Sequence, residues 1–371
     1  MISVVGYNYC VDYKRVLVSV RVLSKHFSKV HYIYKKCEGK ESVEERLKKE
    51  LTNVVFVPIT KTGRGPISRW RFDTAILDSL LEINDDIWYF HITPFLRPLL
   101  PFKVGKEKRK RVVLDSHELM PWQVFTPFVK WNKFLAMLRT TAWWPIYIKQ
   151  MELVDHVIFV SHAVRLYVSS VYPEVFNKSS VISNMAYLGN LTDKDFSIKK
   201  KKKIVYVGAD FRRTPLSWLV KLHDFLGYEF EYVSRHNNEE FDKYDWVKRR
   251  DFMPYEDMMR WLSRARWSII AYDLPFYALK NYIYTVPNKL FDSLGAFTPV
   301  ITREHFYELS HLVRRYGVGV VISADGKDLV EKVKNADEYY DEVIENIKRS
   351  RKMWVWNEYW EKKLLEAVIG K

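Results

Sequence analysis

Short β-branched and aromatic runs alternate with longer stretches of helical spacing through the first half of the chain. The runs are ISVVGY (2–7), KVHYIYK (29–35), NVVFVPI (53–59), DIWYFHI (86–92), RVVLDSH (111–117) and HVIFVS (156–161). SRWRFDTAILDSLLEI (68–83) is one of the helical stretches between them. Strands alternating with helices predict an α/β architecture with a parallel, doubly wound sheet. The pattern then restarts. VISNMAYLGN (181–190) closes the first half, and five consecutive lysines (199–203) read as a solvated linker. KIVYVGAD (203–210) opens a second series, followed by EFEYVS (229–234), WSIIAYD (267–273) and TPVIT (298–302). The expected organisation is two nucleotide-binding-like domains, 1–185 and 203–350, joined by a linker at 186–202, with a closing segment at 351–371. Ligands of such sheets bind at the carboxyl ends of the strands, so the chemistry is expected where two facing domains present those ends to a shared cleft.

Composition narrows the partners. The 371 residues suit two domains, and 48% hydrophobic residues can fill two cores. A formal net charge of +15 points to an anionic partner: a phosphorylated metabolite, an acidic membrane or a nucleic acid. Cys10 and Cys37 stand outside any CxxC or Cys/His cluster, which argues against structural zinc and fits a reducing cytosol. Met1 leads straight into a strand rather than a signal peptide. The longest apolar run, FLAMLRTTAWWPIYI (134–148), contains Arg139 and is too short to span a bilayer. A cytoplasmic protein is expected, soluble or peripheral on the inner face of the membrane.

Candidate chemistry gathers first in YTVPNKLFDSLGAFTPVIT (284–302). Stepping 100° per residue puts Asn288, Lys289, Asp292 and Ser293 on one arc and Leu290, Phe291 and Leu294 on the opposite one. The polar arc is expected to face outward. Pro287 suits a helix start, and the first turn offers unpaired N–H groups and partial positive charge to a phosphate. Lys289 adds a full charge, and Asp292 suits ribose hydroxyls. An amphipathic surface helix capped by Asn288 is the alternative. A second element, YVGADFRRTP (206–215), runs from a strand into Gly208 and a loop with Arg212 and Arg213. Glycine admits close backbone approach, and arginine binds phosphate bidentately. A glycine turn with two exposed arginines is the plain reading. Together the two elements would grip a diphosphate from two sides.

The order IVYVGADFRR, VKRRDFMPYEDMMRWLSRARWSIIAYD (247–273), VPNKLFDSLGAFTPVIT resembles the donor-binding domain of GT-B glycosyltransferases, in particular family 4 and related membrane-associated enzymes. The resemblance implies two Rossmann-like domains facing across a cleft. It implies a diphosphate held by Arg212, Arg213 and Lys289, and a ribose held by Asp292. Asp292 takes the place of the family's second glutamate, and Tyr284, eight residues earlier, stands where the family has the glutamate that holds the donor sugar's hydroxyls. RRDFMP (249–254) stands where the family has a glycine-containing segment, lacks that glycine, and by the resemblance would read the base through its backbone. WVWNEYWEKKLLEAV (354–368) resembles the family's closing helix, which crosses back to the first domain.

In the first half, RVVLDSHELMPW (111–122) brings Asp115, Ser116, His117 and Glu118 to a strand end and is similar to the DxHE segment of the same enzymes. Orienting or deprotonating an acceptor hydroxyl calls for these residue types, with His117 first, Glu118 second and Asp115 third. The alternative is a helix cap with a locally satisfied histidine. His91, at another strand end, and the loop with Gly6, Tyr7 and Asn8 complete the acceptor side. Aromatic and basic residues interleave at 121–150 behind KVGKEKRKR (103–111), which suits an anionic membrane surface or, alternatively, a buried helix beside a basic loop.

The expected function is transfer of a sugar from a UDP- or GDP-sugar to the hydroxyl of a glycan, lipid or protein acceptor. Neither metal nor cofactor is expected, because cationic side chains and helix N-termini can neutralise the leaving group. Retention of configuration is implied by the resemblance alone. A sugar-nucleotide epimerase on the same scaffold, a basic nucleic-acid-binding protein and a noncatalytic membrane-binding relative are the alternatives; nucleic acid is not expected as a partner.

Overall fold

The computed structural model describes the chain except residues 93–94, 124–131, 197–198, 209–213, 235–238, 242, 273–279 and 371. It divides into two units, Met1–Ser183 with Glu358–Lys371, and Asn184–Asn357.

The first unit holds seven parallel strands: β1 (Ile2–Val5), β2 (Val30–Lys35), β3 (Val54–Ile59), β4 (Ile87–His91), β5 (Arg111–Ser116), β6 (His156–Phe159) and β7 (Ser179–Val181). Their order is β3-β2-β1-β4-β5-β6-β7. The chain leaves β1 in one direction and later restarts on its other side, so β1 and β4 flank a topological switch point. In register, Ile2 pairs with Ile87 and Val5 with Phe90. The central strands are apolar on both faces because helices cover both sides: all four residues of β1 are buried, as are Trp88, Tyr89, Phe90 and His91 of β4.

Helix boundaries follow local chemistry. Pro66–Ile83 starts behind Gly65 at φ 97°, with Pro66 in its first turn, and stops at Asn84, left-handed at φ 57°. Lys133–Leu153 is capped by Asn132, whose side chain accepts from the Leu135 N–H. Ala136, Thr140, Tyr147, Gln150 and Met151 form its buried face, while Phe134, Leu135, Met137 and Leu138 are exposed. Among the described residues no helix is long and apolar enough to cross a membrane. The last helix, Glu358–Ile369, belongs to this unit; Arg111 Nε donates to the Val368 carbonyl at 2.7 Å and Lys25 pairs with Glu361 at 2.7 Å.

Cys10 and Cys37 are joined in a disulfide between the β1 loop and the segment after β2, with Cα atoms 5.7 Å apart. The sequence reading fitted them to a reducing cytosol, because a separation of 27 positions gives no hint that β1 and β2 are neighbours. Replacing both by serine is expected to lower stability by about 3.5 kcal/mol, the chain-entropy value for a loop of this length, read from urea unfolding.

The second unit repeats the plan with six parallel strands: β8 (Lys201–Val207), β9 (Glu229–Val233), β10 (Val247–Arg250), β11 (Ala265–Ile270), β12 (Val300–Arg303) and β13 (Gly319–Ile322). The order β10-β9-β8-β11-β12-β13 places its switch point between β8 and β11. Trp218, Phe230, Tyr232, Phe241, Trp267 and Tyr340 build much of one core face. Residues 186–202 fold with this unit, where the Ala186 N–H donates to the Trp354 carbonyl at 2.9 Å.

The lysine run is not a solvated linker. Lys201–Lys203 are the first residues of β8. Lys200 reaches the Ser263 carbonyl at a helix end, and its burial lowers its pKa to about 7. Its methylene stem covers apolar surface while the ammonium serves as a C-terminal helix partner.

Candidate active site

Backbone strain concentrates at the switch points. Tyr7, just beyond β1, Ile92, just beyond β4, and Tyr272, just beyond β11, have φ of 46°, 59° and 33°. A left-handed β-branched or aromatic residue is costly and persists only where surrounding contacts hold it.

Tyr7 is buried. Its hydroxyl donates to Asp73 Oδ1 at 2.7 Å, and its ring packs on Phe95 with centroids 4.7 Å apart. Gly6 donates its N–H to the Ile33 carbonyl at 2.8 Å, and a Cβ there would lie 3.2 Å from the Tyr32 ring. Both residues shape the loop; the Tyr7 side chain is committed inward rather than offered to an acceptor.

The ends of β4 and β5 meet in a buried polar cluster. Arg15, from the helix Lys14–Ser24, grips Asp115: Nη2 to Oδ1 at 2.7 Å and Nε to Oδ2 at 3.0 Å. Tyr89 donates to Asp115 Oδ2 at 2.9 Å. Burial is the largest single influence and would raise the carboxyl pKa, but the Arg15 charge and hydrogen bonds, together with the two histidines, hold Asp115 at about 2. His91 Nδ1 lies 3.0 Å from His117 Nε2 and 3.4 Å from Asp115 Oδ2. Burial lowers His91 to about 4 and drives His117 well below the usual range, so both imidazoles are neutral.

With its proton on Nδ1, His91 points a donor at His117 and Asp115; the other tautomer would set a lone pair against the carboxylate. His117 then accepts at Nε2 and donates from Nδ1 toward the Tyr9 oxygen, 3.3 Å away. Tyr9 and Tyr13 stack 3.6 Å apart and lie nearly parallel to the His117 ring, at 5.7 and 6.0 Å. His117 is therefore covered, with both ring nitrogens engaged, which weakens it as a base. Glu118 is half-buried at the same strand end and interacts electrostatically with Tyr9 and Tyr13.

His91, Asp115 and His117 could each offer one atom to a metal ion, all within 4.8 Å of one another. Asp115 already carries a bidentate guanidinium, however, and a divalent ion there would sit beside that cation. The donor set suits a proton-ordering network better than a metal.

The second unit brings together the elements singled out in its sequence. A Cβ on Gly208, at the end of β8, would lie 2.7 Å from Lys289 Cε and 2.9 Å from its Nζ. The Gly208 loop and the Pro-Asn-Lys helix are thus in contact. Lys289 Nζ stands over the rings of Tyr206 and Tyr272, at 4.7 and 5.0 Å from their centroids, and donates to the Tyr272 hydroxyl at 3.3 Å. Arg303 Nη1 donates to the Tyr272 carbonyl at 3.2 Å and supports that strained residue. The helix Asn288–Gly295 begins behind Pro287 without any side-chain cap, so Asn288 is its first residue and not its capping side chain. Arg212 and Arg213 lie outside the described residues.

The outward polar arc is a misreading. Asp292 and Ser293 are buried with Leu290, Phe291 and Leu294. Tyr255, from the helix Tyr255–Ser263, approaches Asp292 and donates to Oδ1 at 2.5 Å. Helical phase identifies the arc but cannot say that a second helix covers it. Tyr284 packs edge-on against Tyr307, centroids 5.7 Å apart, in a position where the resemblance implies a carboxylate.

Several participants escaped the sequence reading: Arg15, Tyr9, Tyr13, Tyr206, Tyr255 and Tyr272. Tyr206 and Tyr272 lie inside the quoted strand motifs, directly before the switch-point loops, and that position was the available signal.

No protein-family model and no curated protein matches the sequence. Solved structures match its shape over nearly the whole length. Anabaena HepE in complex with UDP and glucose aligns over 100% of this chain and 99% of its own, with TM-score 0.68 and 10% identity. Sucrose-phosphate synthase from Thermosynechococcus elongatus aligns over 98% and 96%, with TM-score 0.68 and 12% identity. The chain has the GT-B fold. UDP-GlcNAc 2-epimerase from Neisseria meningitidis, bound to UDP-GlcNAc, shares this GT-B fold over 100% of both chains at TM-score 0.61 and 10% identity.

Proposed function

We propose that the protein is a glycosyltransferase that moves a sugar from a UDP- or GDP-sugar to an acceptor hydroxyl. The observation that carries the reading is the Gly208–Lys289 contact at the β8/β11 switch point. There an uncapped helix start, a glycine that admits close approach and a lysine over two tyrosine rings form a diphosphate cradle. The fold is shared with glycosyltransferases whose structures contain UDP. Asp292 keeps its place as the ribose partner, held by Tyr255. Arg212 and Arg213 remain assigned to the diphosphate from sequence. Lysine and the helix start supply the positive charge, so no metal is required in this reading.

On the acceptor side, Asp115, His91 and His117 order hydrogen bonds, and Glu118 is the carboxylate within reach of an acceptor. Weakly basic histidines and an arginine-bound aspartate favour a retaining outcome, which needs no strong general base. Exposed Phe134, Leu135, Met137 and Leu138, with Lys133 and Arg139 on the same helix and exposed Lys103, Lys106, Lys108 and Arg109 nearby in sequence, support an acceptor at an anionic membrane surface.

The test is thermal stability of the purified protein with UDP, GDP and their sugars, with and without EDTA. A shift with one base series that ignores EDTA supports the reading, since ligand bound to the native state raises its melting temperature. No shift with any nucleotide overturns it. Lys289→Ala should weaken nucleoside diphosphate binding by about 10- to 100-fold, the loss of a charged hydrogen bond worth about 1.5–3 kcal/mol, while leaving nucleoside binding unchanged. Gly208→Ala sets a Cβ against the flexible end of Lys289 and 2.8 Å from the hydroxyl of buried Tyr206, so the Tyr206 ring must shift slightly as well. By displacing the Lys289 ammonium it should weaken UDP binding about tenfold in calorimetry, a loss near the lower end of that range.

The second reading, a sugar-nucleotide epimerase, is favoured by the shared fold of the epimerase that holds UDP-GlcNAc. Isomerisation of a nucleotide sugar without release of the nucleotide would establish it.

A further inference from the structure

We propose that the Cys10–Cys37 disulfide is a positioning element for the acceptor-side cluster, so that transfer responds to thiol redox state; this rests on the glycosyltransferase reading. Cys10 sits between Tyr9 and Tyr13 in sequence, and these are the two rings that cover His117. Buried Tyr7 and Val11 anchor the loop from Gly6 to Tyr13, and polar contacts fix the stretch around Cys10. The Lys35 N–H donates to the Tyr9 carbonyl at 3.0 Å, and the Tyr13 N–H donates to the Cys10 carbonyl at 3.1 Å. Tyr32 donates from its hydroxyl to the Val11 carbonyl at 3.3 Å, and Lys40 pairs with Asp12 at 2.6 Å. Cys37 anchors the other end just after β2, whose backbone Lys35 is the partner of Tyr9. The disulfide thus closes a ring around the attachment of Tyr9, and Tyr9 is the residue whose hydroxyl meets His117 Nδ1.

Both cysteines are half-exposed, so a dissolved thiol can reach the bond. A dithiol reductant delivers two electrons and two protons: the Cys10–Cys37 bond breaks, two thiols form, and the reductant leaves as its own disulfide. The Tyr9–Tyr13 stack then loses its covalent tether. His117 loses a steady partner at Nδ1, and the cover over its ring loosens.

The experiment compares the oxidised protein, the same protein reduced with dithiothreitol, and the Cys10→Ser/Cys37→Ser double variant, at a temperature where circular dichroism shows all three folded. Three quantities are read: modification of His117 by diethylpyrocarbonate, located by mass spectrometry; UDP affinity; and release of UDP from a UDP-sugar. The expected result is a several-fold rise in His117 modification and a fall in turnover on reduction and in the double variant, with UDP affinity unchanged. Equal His117 protection and equal turnover in the oxidised and reduced states would overturn the proposal. Failure of UDP to bind in every state would instead remove the donor reading, while the His117 comparison still judges the loop. If the double variant does not fold, Tyr9→Leu in the oxidised chain tests the same cover without touching the cystine. It must raise His117 modification; unchanged protection there also counts against the proposal.

Discussion

Arg15→Met is expected to destabilise the protein by about 3–5 kcal/mol, the range for breaking a buried ion pair from one side. Arg15 and Asp115 are each less than a tenth exposed, so the carboxylate left behind would be buried without its cation. The lost contacts are the bidentate grip on Asp115 and the Nη2 donation to the Ile182 carbonyl at 2.9 Å. What remains is a carboxylate beside two neutral histidines, with Tyr89 as a hydroxyl donor. Burial, no longer opposed, would push the carboxyl upward from about 2, and the variant would relieve the strain by taking up a proton. The single replacement should therefore cost far more than the pair. Arg15→Met with Asp115→Asn should recover much of the loss, because the uncompensated charge is gone. Urea unfolding of the two singles and the double closes the cycle. Additive losses would mean that the ion pair is not the source of the effect.

The architecture was legible because it rests on local pattern. Alternating short apolar runs and helical stretches predict two parallel sheets, and each strand read from sequence overlaps the observed one, with ends that differ by up to three residues at β8 and β11. The Gly208 loop and the Pro-Asn-Lys helix were legible as partners because both sit at carboxyl strand ends, where such folds gather ligands. What stayed hidden depends on contacts between distant segments. Arg15 lies 100 residues from Asp115, and nothing in the spacing of its own helix marks it as buried. Tyr9 and Tyr13 carry no signal of their own in the sequence until His117 is found beside them. The arc of Asn288–Gly295 was correctly phased and wrongly placed, since Tyr255 arrives from a helix more than thirty residues earlier in the chain to cover Asp292. The two cysteines carried no chemistry in their spacing, and only the adjacency of β1 and β2 pairs them.

Acid should unfold the protein through the same cluster. An unperturbed histidine titrates near 6.5, but burial holds His91 neutral down to about 4 and His117 neutral well below the usual range. Between pH 6.5 and 4 the unfolded chain binds a proton at each of these positions and the folded chain does not. Stability is therefore full above pH 6.5 and is lost as the pH falls. Each such histidine contributes a slope of about 1.4 kcal/mol per pH unit, so His91 alone accounts for roughly 3 kcal/mol across its window. His156 and His305 are likewise lowered to about 4 by burial and add to the total. Asp115 acts in a different window: its depressed pKa adds stability that is complete above the ordinary carboxylate range and fades only toward pH 2. The discriminating measurement is unfolding free energy in urea at pH 7, 6 and 5 for the unaltered chain and for His91→Asn. The variant should be less stable at pH 7 and should lose about 1.4 kcal/mol less per pH unit on acidification, because one fewer proton is taken up on unfolding. An unchanged slope would mean that His91 is protonated in the native protein, and its assignment as a neutral imidazole would fall.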